Sequence, residues 1–272
     1  MIIADPARAP TLQVALKRRL GGVLLETASL ARAVPRRLRA VPVPVHRFVI
    51  FGRGRSGSTL LVSLLDAHPQ ITCAGEVLRL RTLAPEAHLR RILAEAHTPV
   101  SGAKLLSYQL RDIHRLPAGT DILRRLAGQG VTILYLTRDN LLRHAISNIY
   151  AYKQRIYHQT ATGPVRPRIT LSLPELTAWI EGSEALAAYE AQVLAGVPHR
   201  ALTYEADLAQ PEARLRTAAA LLAAFALDPV PVDTRLRKVT SDDLREVIEN
   251  HDSLIAALQT SRFARYLTPD AA

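Results

Sequence analysis

Short apolar runs alternate with longer amphipathic segments along most of the chain. The runs at 47–51, 71–74, 103–110, 131–137 and 201–204 have the length and composition of strands. Apolar residues at helical spacing predict helices at 58–67, 85–96, 121–127, 140–152, 174–195, 212–226 and 242–258. Strands that alternate with helices are typical of βαβ units. We therefore predict an α/β domain with three α/β/α layers and a central parallel sheet.

The first 45 residues have a different pattern. Residues 12–33 show weak helical periodicity, and the prolines in 41–44 indicate an extended linker. Nine basic residues precede position 48, namely Arg8, Lys17, Arg18, Arg19, Arg32, Arg36, Arg37, Arg39 and Arg47. We predict a basic extension with a Pro-rich linker at 1–45, a candidate for peripheral membrane contact, and one domain at 46–272.

The composition narrows the choice of partners. The 272 residues carry a net charge of +11, which favours nucleic acid, an acidic lipid surface or a phosphorylated ligand. Cys73 is the only cysteine, which excludes a disulfide within the chain and a metal site built from several thiolates. No signal-peptide pattern and no apolar stretch of about 18 residues is present, so we expect a cytoplasmic protein.

A glycine-rich segment between a strand and a helix is the main chemical signal. Residues 52–59 read GRGRSGST, in which Gly52 and Gly57 have the spacing of a phosphate-binding loop and Thr59 is in place. Ser58 occupies the position where that loop usually carries lysine, and the cations lie inside the loop as Arg53 and Arg55. Backbone amides at such a turn bind anions. We predict a phosphorylated ligand other than ATP.

A second basic segment follows the strand at 131–137. Arg138 is expected at the carboxyl end of that strand, where parallel sheets bind ligands. Arg143 and Ser147 are four residues apart on the next helix and share a face. These residues could form a second phosphate clamp, and an ordinary capped helix with surface charge is the alternative.

Two segments together resemble a known family. FVIFGRGRSGSTLLVSLLDAHPQITCAGE, from Phe48 to Glu76, is similar to the 5′-phosphosulfate loop of sulfotransferases that use 3′-phosphoadenosine 5′-phosphosulfate (PAPS). YLTRDNLLRHAIS, from Tyr135 to Ser147, is similar to their 3′-phosphate-binding strand and helix. Shorter matches are LTYE at 202–205 and the terminal segment that begins at Lys238. The arginine in the loop resembles bacterial carbohydrate sulfotransferases of the nodulation-factor and trehalose type, although Arg138 and Ser147 are one residue further apart than in the animal enzymes.

The resemblance implies a P-loop NTPase-like sulfotransferase fold and a function. The expected reaction moves the sulfuryl group of PAPS, without a metal, to a hydroxyl of a carbohydrate, glycolipid or small metabolite, and no nucleic-acid partner is expected. The implied PAPS-binding residues are Arg53, Gly54, Arg55, Ser56, Gly57, Ser58, Thr59, Arg138, Ser147 and Lys238. Arg55 would stabilise charge on the leaving oxygen, because arginine stays protonated and cannot donate a proton.

The general base for the acceptor hydroxyl has two candidates. Glu76 stands where similar bacterial enzymes place a catalytic glutamate, and His68 at the end of the first helix is the competitor. Lys104 is expected either to contact the sulfuryl oxygens or to be a surface lysine. Lys238 either closes over the 3′-phosphate or belongs to a solvated run of charges.

Three rival functions remain open. A P-loop nucleotide-dependent kinase requires a loop lysine and an aspartate for magnesium, and the sequence has neither at the expected positions. A serine hydrolase would require glycine in place of Ser58. A non-enzymatic binder of nucleic acid or membrane explains the charge but not the two phosphate motifs.

Overall fold

The computed structural model describes residues 44–155, 159–160, 167–230, 236–237, 241 and 243–267. The strands in these ranges are β1 (His46–Gly52), β2 (Ile71–Glu76), β3 (Val100–Leu106), β4 (Val131–Thr137), β5 (Gln159–Thr160), β6 (Arg200–Thr203) and β7 (Leu236–Arg237). The helices are α1 (Ser58–Asp66), α2 (Pro85–Ala94), α3 (Ile122–Gly128), α4 (Leu141–Gln154), α5 (Leu173–Val193), α6 (Pro211–Ala224) and α7 (His251–Gln259). Short π-helical turns at Gln109–Ile113 and Tyr204–Leu208 follow β3 and β6.

The chain divides into two compact units. Among the described residues, the first, which we call the sheet unit, contains 44–137 and 188–230. The second, the helical unit, contains residues of 138–187 and 236–267. Helix α5 contributes its first part to the helical unit and its last turns to the sheet unit. The assignment of 46–272 to a single domain stays a prediction.

A five-stranded sheet forms the centre of the sheet unit, and its strand order is β2-β3-β1-β4-β6. All neighbouring strands are parallel, so their carboxyl ends meet at one edge. Strand β3 lies between β1 and β2, although it follows both in the sequence. This arrangement confirms the predicted parallel sheet.

Alternate residues of β1 face two separate apolar layers. Phe48 and Ile50 pack with leucines of α1 and α6 on one face of the sheet. Val49 and Phe51 pack with α2, α3 and the end of α5 on the other face. Because side chains alternate along a strand, a strand covered on both faces is apolar throughout, as β1 is. The helices on both faces confirm the predicted three layers.

The helical unit has an apolar core of its own. Residues of α4, α5 and α7 supply most of it, including Ile146, Leu176 and Leu254. Strands β5 and β7 form an antiparallel pair in this unit.

Two of the predicted elements differ from the structure by more than two residues at an end. The strand expected at 103–110 is Val100–Leu106, because the side-chain oxygen of Gln109 accepts from the Leu106 amide (3.0 Å) and the chain then turns. The helix expected at 242–258 is shorter, since α7 covers only its last part. Asn250 exchanges two side-chain hydrogen bonds with the backbone of Leu171 (3.0 and 2.7 Å), and Ile248 bridges Ile169. These contacts keep residues 247–250 out of the α-helix, and a 3₁₀ turn at Leu244–Glu246 precedes them.

Candidate active site

The glycine-rich segment forms a tight loop between β1 and α1. Gly57 precedes the helix in a left-handed conformation with φ 84°, and Arg55 is also left-handed with φ 63°. No side chain of the described residues caps the start of α1. The amides of its first turn have no partner within the helix, and they carry the positive end of the helix dipole. The loop therefore has the geometry of an anion-binding turn.

Close contacts require the two glycines that frame the loop. A Cβ atom at Gly52 would lie 2.1 Å from the carbonyl oxygen of Leu136 in the neighbouring strand. A Cβ atom at Gly57 would lie 2.8 Å from Cδ2 of Tyr204 and 3.0 Å from Cδ1 of Leu208. The turn after β6 thus packs directly on the loop, and the spacing noticed in the sequence has a steric cause.

Ser56 supplies a buried polar group inside the loop. Its side chain is 0% exposed, and Oγ has no hydrogen-bond partner among the described residues. A buried hydroxyl without a partner costs roughly 1–3 kcal/mol. An anion held by the adjacent amides could accept a hydrogen bond from it, so the residues present fit a phosphate or sulfate group.

Lys104 of β3 connects the loop to Glu76. Its side chain is buried (4% exposed), which excludes the surface-lysine alternative. Nζ donates to Oγ1 of Thr59 (3.0 Å) and lies 3.2 Å from Oε1 of Glu76. The loop, Lys104 and Glu76 are therefore together at the carboxyl edge of the sheet.

Glu76 reaches this position through an irregularity in β2. The pairing register between β2 and β3 shifts between Ala74 and Glu76, which sets Glu76 opposite Lys104. Such bulges redirect a side chain at the end of a strand. Oε2 of Glu76 accepts from the Tyr108 hydroxyl (3.0 Å) and from Nε2 of Gln109 (3.1 Å). Sequence reasoning missed Tyr108 and Gln109, because both were assigned to a strand.

The charge state of Glu76 follows from these neighbours. Burial alone raises the pKa of Glu76, but the Lys104 ammonium and the Tyr108 hydroxyl outweigh it and lower the pKa below its ordinary value. The side chain is 21% exposed, so solvent reaches it. Glu76 is consequently an ionised carboxylate, already deprotonated and accessible, at the edge where the loop lies.

His68 lies at the other end of α1. Nδ1 accepts from the Gln70 amide (3.1 Å), so the ring proton is on Nε2, which contacts the carbonyl oxygen of Asp228 (3.3 Å). The imidazole is buried and both nitrogens are engaged by backbone groups. Its position beyond the last residue of α1 separates it from the loop by the whole helix, which favours Glu76 over His68 as the base.

Arg53 points into the protein. Its side chain is 5% exposed, and Nε lies 3.3 Å from Oε2 of Glu190 near the end of α5. Glu190 also accepts from Oγ of Ser107 (2.6 Å) and from the Tyr135 hydroxyl (2.9 Å). Sequence reasoning missed Glu190, although a glutamate four residues after Leu186 on an apolar helix face is a detectable signal.

Of the predicted 3′-phosphate residues, Arg138 and Ser147 belong to the helical unit. Arg138 directly follows β4 and is buried. Asn140 begins α4 by accepting from the Arg143 amide (2.9 Å), and Ser147 is buried on that helix. Lys238 and residues 1–43 lie outside the described residues. The contribution of Arg138, Ser147 and Lys238 to the same site as the loop stays a prediction.

Metal-ligating clusters and membrane spans are both absent from the described part of the chain. No group of three or more His, Cys, Asp or Glu side chains in the described ranges could hold a metal ion. Among the helices that the structure describes, none is both long and apolar enough to cross a bilayer.

Similarity to known proteins is found in the sequence and in the fold. Residues 47–123 match the model of a sulfotransferase family, and this range includes the loop, Glu76 and Lys104. No curated protein matches the chain. The structure is similar to that of a sulfotransferase from Alicyclobacillus acidocaldarius at 14% identity, covering 83% of this chain and 93% of that one, with a TM-score of 0.48. The structure is also similar to that of mouse sulfotransferase SULT7A1 complexed with PAP, at 12% identity, covering 85% of this chain and 81% of that one, with a TM-score of 0.43.

Proposed function

We propose that this protein is a sulfotransferase that moves the sulfuryl group of PAPS to a hydroxyl of a carbohydrate, glycolipid or small metabolite. The carrying observation is the arrangement of Thr59, Lys104 and Glu76. An anion-binding helix start, a buried ammonium and an ionised carboxylate lie in one connected group at the carboxyl edge of a parallel sheet. The match of residues 47–123 to a sulfotransferase family model supports the same assignment.

The loop residues bind the donor in this proposal. Amides of Ser56, Gly57, Ser58 and Thr59 hold the 5′-phosphate, and the buried Ser56 hydroxyl donates to it. Arg55, in its left-handed conformation, stabilises the charge that grows on the bridging oxygen. Arg138, Ser147 and Lys238 bind the 3′-phosphate.

Glu76 acts on the acceptor. Its carboxylate removes the hydroxyl proton as the acceptor oxygen forms a bond to sulfur and the bond between sulfur and the 5′-phosphate oxygen breaks. The products are the sulfate ester, 3′,5′-adenosine bisphosphate and a protonated Glu76, which returns its proton to solvent. Lys104, within 3.2 Å of Glu76, keeps the carboxylate ionised before the reaction. A sugar hydroxyl as acceptor is supported by the resemblance of the loop to carbohydrate sulfotransferases.

Calorimetric titration tests the donor assignment. We expect 3′,5′-adenosine bisphosphate to bind without magnesium, and to bind more tightly than 5′-AMP, since the second phosphate has its own ligands. Magnesium-dependent binding of ATP together with no binding of the bisphosphate would instead support a kinase. A sulfur-labelled donor incubated with a panel of cell extracts then identifies the acceptor class by the labelled product.

A further inference from the structure

A buried carboxylate lies behind the phosphate loop and has no role in the proposed reaction. Glu190 is 0% exposed on the last part of α5. Among the described residues its side chain contacts Arg53, Ser107 and Tyr135, and we call these residues, together with Glu190, the Glu190 cluster. A buried carboxylate is costly unless it is paired and hydrogen bonded, and Glu190 meets this condition through one ion pair and two hydroxyl donors.

The partners come from the carboxyl ends of three adjacent strands. Arg53 directly follows β1, Ser107 directly follows β3, and Tyr135 lies near the end of β4. These strands are neighbours in the sheet, with β1 in the middle. Glu190 therefore fixes the point at which the chain leaves the central strand and enters the loop.

The loop conformation depends on both of its ends. Arg55 and Gly57 are left-handed, and a non-glycine residue in that region is strained. The packing of Tyr204 against Gly57 holds the far end of the loop. The ion pair between Arg53 and Glu190, 3.3 Å long, holds the near end. A strained backbone persists only where its surroundings constrain it.

We propose that Glu190 is a positioning residue of the phosphate loop, which holds Arg53 beneath the loop and thereby keeps the amides of 56–59 directed at the donor's 5′-phosphate. This inference rests on the proposed function. Burial raises the pKa of Glu190 above its ordinary value, and the Arg53 charge and the hydroxyls of Ser107 and Tyr135 offset this increase only in part. The ion pair with Arg53 and the two hydroxyl donors are the contacts that favour the ionised form. Arg53 thus serves the donor site through the shape of the loop.

A double-mutant cycle tests the proposal, with the affinity for 3′,5′-adenosine bisphosphate as its readout. Glu190→Gln keeps the size of the side chain and removes its charge, and we expect it to weaken binding about tenfold, a typical coupling within one network. In an Arg53→Met background the same change should alter the affinity less than about twofold. We expect Arg53→Met to fold, because Glu190 can take up a proton and become neutral when Arg53 is absent. The opposite choice is less suitable, since an arginine left without its carboxylate cannot lose its charge.

Glu184→Gln is the matched control, because Glu184 lies on the same helix and contacts Arg262 and Arg265 at the surface. It should leave the affinity unchanged. Thermal unfolding of each variant separates a loss of stability from a loss of binding. A role confined to stability would lower the melting temperature of Glu190→Gln without changing its affinity, and that result overturns the proposal.

Other outcomes are equally decisive. Failure of the unchanged protein to bind the bisphosphate removes the proposed function, whereas binding that Glu190→Gln leaves intact removes only the positioning role. Equal weakening in both backgrounds shows that Glu190 does not act through Arg53.

Should Glu190→Gln not fold, Tyr135→Phe removes one donor to the carboxylate. We expect that change to weaken binding about threefold with Arg53 present and to leave it unchanged in the Arg53→Met background. Equal effects in the two backgrounds refute the idea.

Discussion

Replacement of Gly57 by alanine tests whether the loop conformation is set by steric contacts. The backbone there has φ 84°, and a left-handed conformation costs an L-residue about 1–2 kcal/mol. The added Cβ would also lie 2.8 Å from the Tyr204 ring and 3.0 Å from Leu208. Overpacking of this kind costs about 1–3 kcal/mol. We expect Gly57→Ala to lower the free energy of unfolding by about 2–5 kcal/mol.

We expect Gly57→Ala also to weaken the binding of 3′,5′-adenosine bisphosphate, because relief of the clash moves the amides of Ser58 and Thr59. Denaturant unfolding gives the stability and calorimetry with 3′,5′-adenosine bisphosphate gives the affinity. Gly182→Ala is the control, since its Cβ meets no atom within 4 Å in the middle of α5. That change should stabilise the protein by up to about 1 kcal/mol, the difference in helix propensity, without affecting the ligand.

A second variant separates the two costs at Gly57. Tyr204→Ala removes the ring that the new methyl group would meet, so relative to Tyr204→Ala alone the double variant should lose the part of the penalty that comes from this ring. It should keep the backbone part and the contact with Leu208. The reasoning is refuted if Gly57→Ala unfolds within about 0.5 kcal/mol of the unchanged protein, the ordinary range of a surface substitution. Undiminished affinity for the bisphosphate would likewise refute the link between this turn and anion binding.

Three further predictions concern the proposed reaction. Glu76→Gln should lower kcat about 10²–10⁴-fold, the usual contribution of a general base, and leave bisphosphate affinity unchanged; retained turnover would place the base elsewhere. Lys104→Met should move the acidic limb of the pH–rate profile to higher pH. The base is active only above its pKa, and the Lys104 charge lowers the pKa of Glu76. Once that charge is removed, burial raises the pKa of Glu76. If the acidic limb does not move, it does not report the ionisation of Glu76. Arg55→Ala should lower kcat about 10²-fold with little change in donor affinity, whereas Arg124→Ala, which removes a surface charge on α3, should have no effect on kcat.

Local patterns were sufficient for the strands of the central sheet, for most of the helices and for the loop. The strand predicted at 131–137 has the bounds of β4, because an apolar run of strand length between polar residues leaves few alternatives. The loop was recognisable because its two glycines are required by the backbone itself, at Gly52 and Gly57. Where side chains form the hydrogen bonds of the backbone, as at Gln109 and Asn250, the periodicity misled the boundaries.

The sequence by itself determined the parallel sheet and the anion-binding turn, because hydrophobic periodicity and the spacing of glycines can be read from neighbouring residues. The candidacy of Glu76 came from the resemblance of residues 48–76 to sulfotransferases. Only the tertiary structure decided which charges meet. Lys104 reaches both Thr59 and Glu76 because β3 inserts between β1 and β2, an order that differs from the order along the chain. Glu190 meets Arg53 although the two are far apart in the sequence, and because burial makes an unpaired charge costly, their pairing depends on the fold.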